Sequence, residues 1–456
     1  MAKKDTGNGV QAAVVRHGRL RRSNAWTNAL RVLLTTAIVV VLSGFATVAY
    51  AVWGIVQKVD TVQLGTEADA VAAGSQTLDG PVTILLVGSD TRAGQGYDDG
   101  EEGELNDVTL MLHVSADHKN ATIVSFPRDL MIPIPSCPGP NGEPDYFPAM
   151  SEQQLNSTLS YGGLPCTVET ISELTGMDIP YAGLITFDGV VGVSNAIGGV
   201  EVCLAQPIVD EATELDLPAG TNTLVGWEAL QFLRTRHGVG DGGDTSRISN
   251  QQVFMGALVR HLKSADTLSD PVKVYALAKA AVENMTLSSN MADVQFMQAM
   301  AGTVKDIDLE RINFVQYPSS NHPYAEGRLT PNYESAQVLF DTLLSGQPFA
   351  VTGVGEGVEV EGEGTDPATD PATTDPATTD PATTEPAIDP ETGLAIDPAT
   401  GWLIDPETGL PIDPETGLPV EETPQETTDD GSVLLPSDIT GSGAAQQTCS
   451  LGRTVF

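Results

Sequence analysis

Five arginines fall in three short motifs: Arg92 in VGSDTRAG, Arg128 in SFPRDL, and Arg234, Arg236 and Arg247 in LRTRHGVGDGGDTSRISNQQ. Each motif stands where a strand or helix is expected to end, the usual position for a site. Arg247 and Gln251 are four residues apart and share one helix face. Several convergent guanidiniums in an acidic protein point to a strongly anionic ligand, a phosphate or pyrophosphate. Ordinary salt bridging with the abundant acids is the competing explanation. Asp90 follows the first strand run and Asp107 opens the second. If those strands are neighbours, the two carboxylates can lie together and hold Mg²⁺ (or Mn²⁺) against substrate phosphate oxygens, easing departure of a phosphate leaving group. The alternative is that Asp90 caps a turn and Asp107 pairs with an arginine. No nucleophile triad stands out. The Gly-rich stretch GVGDGGD follows a helix and is acidic, which argues against a P-loop. No histidine has ligand spacing, and His113 reads as a packed or edge residue of a strand.

The elements that must position these groups alternate. VTILLVG (82–88), DVTLMLHVS (107–115) and ATIVSF (121–126) read as strands, the last two joined as a hairpin by a polar turn. TVETISELTG (167–176) has helical spacing, with Thr167 as its cap. YAGLITF (181–187) and GVEVCL (199–204) are strands around a short helix that ends at a Gly pair. GWEALQFLRTRH (226–237) and residues 245–265 read as helices, the second with Ile248, Val253, Phe254, Ala257, Leu258 and Leu262 on one stripe. A strand at 311–318 and a helix at 332–345 follow. The class expected is α/β, an α+β sandwich with a central mixed sheet flanked by helices.

The chain has 456 residues and a formal net charge of -39. Residues 1–31 carry +6, residues 57–349 carry -24 and residues 350–456 carry -21. This balance excludes a nucleic-acid binder, which needs Lys and Arg to neutralise phosphates. Residues 32–56 hold no charge; as a helix they would be roughly 37 Å long, enough for the hydrocarbon core of a bilayer. The basic flank before them predicts a cytoplasmic N-terminus, a single span and an exterior domain at the cell membrane. A cleaved signal peptide is the rival reading, but the apolar run is too long for one. Residues 57–80 read as a stalk, 81–349 as the folded domain and 350–456 as a disordered acidic tail. Within that tail an eight-residue unit, IDPETGLP and its variants, recurs over 388–419. Its apolar content cannot repay the entropy of ordering. The four cysteines, Cys137, Cys166, Cys203 and Cys449, all follow the span. They would meet an oxidising compartment. Cys137 and Cys166 flank one loop-rich stretch and are the preferred pair, which leaves Cys203 with Cys449.

Taken in order, ILLVGSDTRAG, NDVTLMLHVSADHKNATIVSFPRDLMIPIP, LNSTLSYGG, FDGVVGVSNAIGGVEVCL, DLPAGTNTLVGWEALQFLRTRH and DTSRISNQQVFMGAL resemble the LytR-CpsA-Psr family of cell-wall glycopolymer ligases. The likeness covers roughly 81–263. It implies a membrane-tethered phosphotransferase. Such an enzyme moves a glycopolymer from a polyprenyl-pyrophosphate carrier to peptidoglycan or another wall acceptor, forming a phosphodiester. It further implies Asp90, Asp107 and Arg128 as catalytic residues. The two aspartates would bind the metal or activate the acceptor hydroxyl. Arg92, Arg128, Arg234, Arg236 and Arg247 would bind pyrophosphate, with Gln251 as their polar partner. By the same analogy the lipid runs between sheet and helices, with 190–197 and 253–262 as its walls. Two positions depart from the family pattern. Gln154 stands where many members have Lys, and Asn250 where many have Arg, and both remove positive charge near the expected phosphate site. Two further readings keep the residues but change the role: a polyprenyl-pyrophosphate phosphatase or phosphodiesterase that uses water, and a non-catalytic protein that holds lipid-linked glycan.

Overall fold

The computed structural model describes residues 60–64, 78–89, 105–139, 143–263, 279–280, 282–292, 294–351, 353–360 and 432–453 of the larger unit. It also describes residues 26, 28–39 and 43 near the N-terminus, and positions 394, 403–404, 411–412 and 428 in the tail. The N-terminal unit is helical over 28–39. Among the described residues no helix is long and apolar enough to cross a membrane, and most of the expected span lies outside them.

Twelve strands and six helices carry the argument. The strands are β1 (Asp60–Val62), β2 (Val82–Ser89), β3 (Asn106–Val114), β4 (Ala121–Phe126), β5 (Tyr181–Thr186), β6 (Val200–Leu204), β7 (Gly220–Leu224), β8 (Met285–Ser288), β9 (Ile312–Gln316), β10 (Val358–Val360), β11 (Gly441–Gly443) and β12 (Thr448–Ser450). The helices are α1 (Thr158–Thr175), α2 (Phe187–Ile197), α3 (Trp227–Arg234), α4 (Asp244–Lys263), α5 (Val294–Lys305) and α6 (Tyr333–Ser345). The main sheet runs β1-β8-β5-β2-β3-β4-β9-β11, and a smaller sheet runs β7-β6-β12-β10. Pairing in the main sheet is mixed: β2 is parallel to β5 and antiparallel to β3.

Alternation along β2 explains the layers. Leu85 and Val87 point into a core with α1 and α6, while Val82 and Ile84 point to the opposite face, against Phe296 and Ala299 of α5. Both faces are covered, so the strand reads as a continuous apolar run. The mixed α/β class expected from the alternating elements is therefore the fold observed.

Three details differ from the expectations. Helix α1 begins at Thr158, across a kink at Gly162 and Gly163, so Thr167 is buried within the helix and does not cap it. Helix α3 stops at Arg234 because Thr235 turns extended. The tail is not structureless throughout. Its last part, 432–453, returns to the domain: β11 extends the main sheet beside β9, and β12 inserts between β6 and β10. Gly441 is required there, since a Cβ would lie 2.1 Å from the Phe314 carbonyl oxygen. Cys203 of β6 is bonded to Cys449 of β12, and Cys137 to Cys166. The eight-residue repeats lie almost wholly outside the described residues.

His113 is buried in β3, its Nδ1 3.1 Å from Thr83 Oγ1. Burial pushes its pKa down to about 4, against a weaker pull upward from the Leu343 carbonyl. The unfolded chain therefore binds the proton more readily than the folded one between pH 6.5 and 4. Stability is complete above pH 6.5 and falls as the pH drops through that window, by on the order of 3 kcal/mol. Urea titrations at stepped pH should show this loss in the wild type and a flatter profile in His113→Gln.

Candidate functional site

Strand order brings the expected residues together. Ser89 pairs with Asn106, so the end of β2 lies beside the start of β3, where Asp107 stands. Asp90 and Arg92 themselves lie outside the described residues. Arg128 follows β4, the other neighbour of β3. Arg234 ends α3, Arg236 lies two residues beyond, and Arg247 and Gln251 occupy the first turns of α4. Asp107, Arg128, Arg234, Arg236, Arg247 and Gln251 all line one cavity of about 310 Å³. The rest of its wall is almost entirely apolar and includes Val190, Val193 and Ile197 of α2 and Phe254, Met255 and Leu258 of α4.

The arginines are held in two ways. Arg128 forms an ion pair with Asp107, and its Nε lies 3.6 Å from Asp129 and 3.9 Å from Asp244. Asp107 thus does pair with an arginine, without being withdrawn from the cavity. Burial opposes the charge on Arg128, but Asp107, Asp129 and Asp244 outweigh it and raise its pKa. Arg247 is buried, forms an ion pair with Asp244 one turn back, and donates to the Asp107 carbonyl at 3.0 Å. Burial pushes the pKa of Arg247 down and that of Asp244 up, and the mutual attraction of the pair opposes both shifts. Arg234 and Arg236 have no carboxylate within 4 Å among the described residues. The Arg234 guanidinium stands 4.4 Å above the Phe187 ring, which steers it without neutralising it. Among the described residues the Nε atoms of Arg128 and Arg247 are buried without hydrogen-bond partners. Buried donors of this kind call for an acceptor.

Spacing alone missed several groups. Asp129 and Asp244 supply the counter-charges. Their signals were adjacency to Arg128 and an i,i+3 relation to Arg247. Asp210, 25 residues before Thr235, accepts its hydroxyl at 2.6 Å and the Ala212 amide at 2.9 Å. Burial works against its ionisation, yet these hydrogen bonds hold it below the usual carboxylate range. It thereby pins the turn between Arg234 and Arg236. Asn250 is fully buried and donates to the Phe232 carbonyl at 2.8 Å, while Gln251 donates to that of Leu233 at 2.9 Å. Both satisfy carbonyls that the end of α3 leaves without partners. Asn250 lies off the cavity, so its polarity serves the α3–α4 contact. Gln154 donates to Asp129 at 2.8 Å. A second arginine, Arg328, meets the same carboxylate at 2.6 Å, which returns positive charge to that corner.

Fold and site together define an α/β protein with a guanidinium clamp at an apolar cavity, suited to an amphiphile with a strongly anionic head. The chain belongs to the LytR_cpsA_psr family, whose family model matches residues 53–340. It is similar to the cell wall biosynthesis protein LcpA of Corynebacterium glutamicum, with 30% identity over 302 residues, 59% of this chain and 57% of that protein. It is also similar to the polyisoprenyl-teichoic acid–peptidoglycan teichoic acid transferase TagU of Enterococcus faecalis, with 26% identity over 55% of this chain and 77% of the relative. The chain spans about half the length of the first two curated relatives it matches, 57% and 47%. Among solved structures it is similar to a LytR-Csp2A-Psr enzyme from Actinomyces oris. That match has 22% identity, a TM-score of 0.47, and covers 62% of this chain and 95% of the other.

Proposed function

We propose that the protein is a membrane-anchored phosphotransferase that moves a glycopolymer from a polyprenyl-pyrophosphate carrier to a hydroxyl of peptidoglycan or another wall acceptor. The observation that carries this reading is the convergence of Asp107 and four arginines on a cavity with mostly apolar walls. A polyprenyl chain suits the apolar wall, and a pyrophosphate suits Arg128, Arg234, Arg236 and Arg247. The naming of the Enterococcus relative as a teichoic acid transferase supports the same class. The uncharged run at 32–56 would hold the domain at the outer membrane face, where such a carrier is presented.

In the reaction the acceptor oxygen forms a bond to the phosphorus that bears the glycan. The bond from that phosphorus to the bridging oxygen breaks, and polyprenyl phosphate leaves with the electron pair. The acceptor proton passes to a carboxylate, for which Asp107 and Asp90 are the candidates. The arginines stabilise charge that builds on the phosphate oxygens. Asp107 also fits a hard cation. Arg128 takes Oδ1, and among the described residues the second oxygen is open to act as a ligand, with Asp90 as the candidate second carboxylate. Mg²⁺ or Mn²⁺ bound there would supply neutralisation of the phosphate charge.

The test is full-length protein in vesicles with polyprenyl-pyrophosphate-linked glycan and peptidoglycan. The expected product is glycan joined to the wall polymer by a phosphodiester. Chelation should lower the rate, and added Mg²⁺ or Mn²⁺ should restore it. Free phosphorylated glycan would establish the hydrolytic reading, and bound but unturned donor would establish the binding-protein reading.

A further inference from the structure

An in-line displacement at phosphorus places the incoming oxygen opposite the leaving one. On the reading above, the leaving polyprenyl phosphate occupies the apolar part of the cavity, so the acceptor comes in past its polar end, where Asp107 and Arg128 stand. Arg128 has two sides: Nη1 meets Asp107, which lines the cavity, and Nε faces Asp129, which does not. Asp129 is the inner edge of a second polar surface. It accepts from Arg328 at 2.6 Å and from Gln154 at 2.8 Å. Arg328 leads into a two-stranded hairpin, Ser319–Asn321 paired with Leu329–Pro331. That hairpin is tied to the Arg128 segment, since the Leu329 amide donates to the Asp129 carbonyl at 3.1 Å. Its His322 lies 3.2 Å from Glu152, on the strand that ends at Gln154. Near its turn Tyr324 is 93% exposed.

We propose that this hairpin and Gln154 form the acceptor subsite, with Tyr324 and Arg328 reading a carboxylate-bearing glycan. An exposed phenol ring offers a flat apolar face for the C–H side of a pyranose and a hydroxyl at its edge. Arg328 is held by Asp129 through Nη1, and its side chain is 38% exposed. That leaves guanidinium N–H groups for a planar carboxylate. Residues 57–349 carry -24, so a partly exposed guanidinium is where an anionic sugar chain can settle.

The inference rests on the phosphotransferase reading, and its test keeps the two apart. Full-length wild type, Tyr324→Ala and Arg328→Gln are compared in vesicles with a fixed lipid-linked donor. The acceptor probes are a peptidoglycan-derived oligosaccharide with free carboxylates and the same oligosaccharide amidated. The acceptor KM should rise about tenfold in each variant while the donor KM stays within about twofold. Arg328→Gln should also abolish the preference for the free carboxylate. An unchanged acceptor KM in Tyr324→Ala, whose ring makes few structural contacts, would overturn the subsite. So would a donor KM that rises as much as the acceptor KM, or a wild type that prefers a sugar-free peptide. No transfer by the wild type would instead overturn the underlying function and this subsite with it.

Discussion

Arg128→Ala should lower kcat for transfer by about 10²–10³-fold, the usual cost of removing one preorganised charge donor from a reacting centre. Three carboxylates surround this side chain, and together they keep its pKa raised. It is therefore a fixed cation at the point where phosphate charge would build. Its buried Nε has no hydrogen-bond acceptor among the described residues. Arg128→Lys should recover little. An ammonium is a point charge and cannot meet Asp107 while facing Asp129 through a planar fork. Steady-state kinetics on lipid-linked donor should show the loss mainly in kcat, with thermal unfolding run in parallel to separate chemistry from folding. Turnover within threefold of wild type would remove Arg128 from the reacting centre.

Cys203→Ser with Cys449→Ser should lower the melting temperature by about 5–10 °C. The bridge closes a separation of 246 residues, which in the chain-entropy account places it among the more stabilising kinds. It also holds the chain end in place. Arg260 donates to the Ala444 carbonyl at 2.9 Å, and the Gly240 amide donates to that of Leu451 at 3.4 Å. Gly240 belongs to the loop between Arg236 and Asp244, so release of β12 should loosen one side of the arginine clamp. Activity should fall more steeply with temperature in the variant than in the wild type. Scanning calorimetry and limited proteolysis would detect the release as a lower transition and new cleavage within 432–453. A transition within 1 °C of wild type would show that the strand pairing holds the segment unaided.

Much of the fold was legible in advance. Two signals account for it: strand-type runs separated by a polar turn mark β3 and β4, and the 3.6-residue stripe marks α4. The arginine motifs were legible because guanidiniums are scarce in residues 57–349, which carry -24, and cluster at element ends. Local chemistry was enough for these, since each signal lies within a few residues of itself.

What the sequence by itself determined, then, is the order of elements, the arginines of the clamp, the aspartate at the start of β3 and the preferred Cys137–Cys166 pair. The tertiary structure alone decided the long-range polar pairs around those arginines. Arg328 reaches Asp129 across 199 residues, and Asp210 reaches Thr235 across 25. It decided that Asn250 caps a neighbouring helix and that residues 432–453 close the edges of two sheets. The physical reason is common to all four. A helix end or a sheet edge leaves backbone groups without partners, and a buried charge requires a counter-charge. The sequence states those requirements locally, but the group that meets each one comes from a distant segment, and only the packed chain selects it.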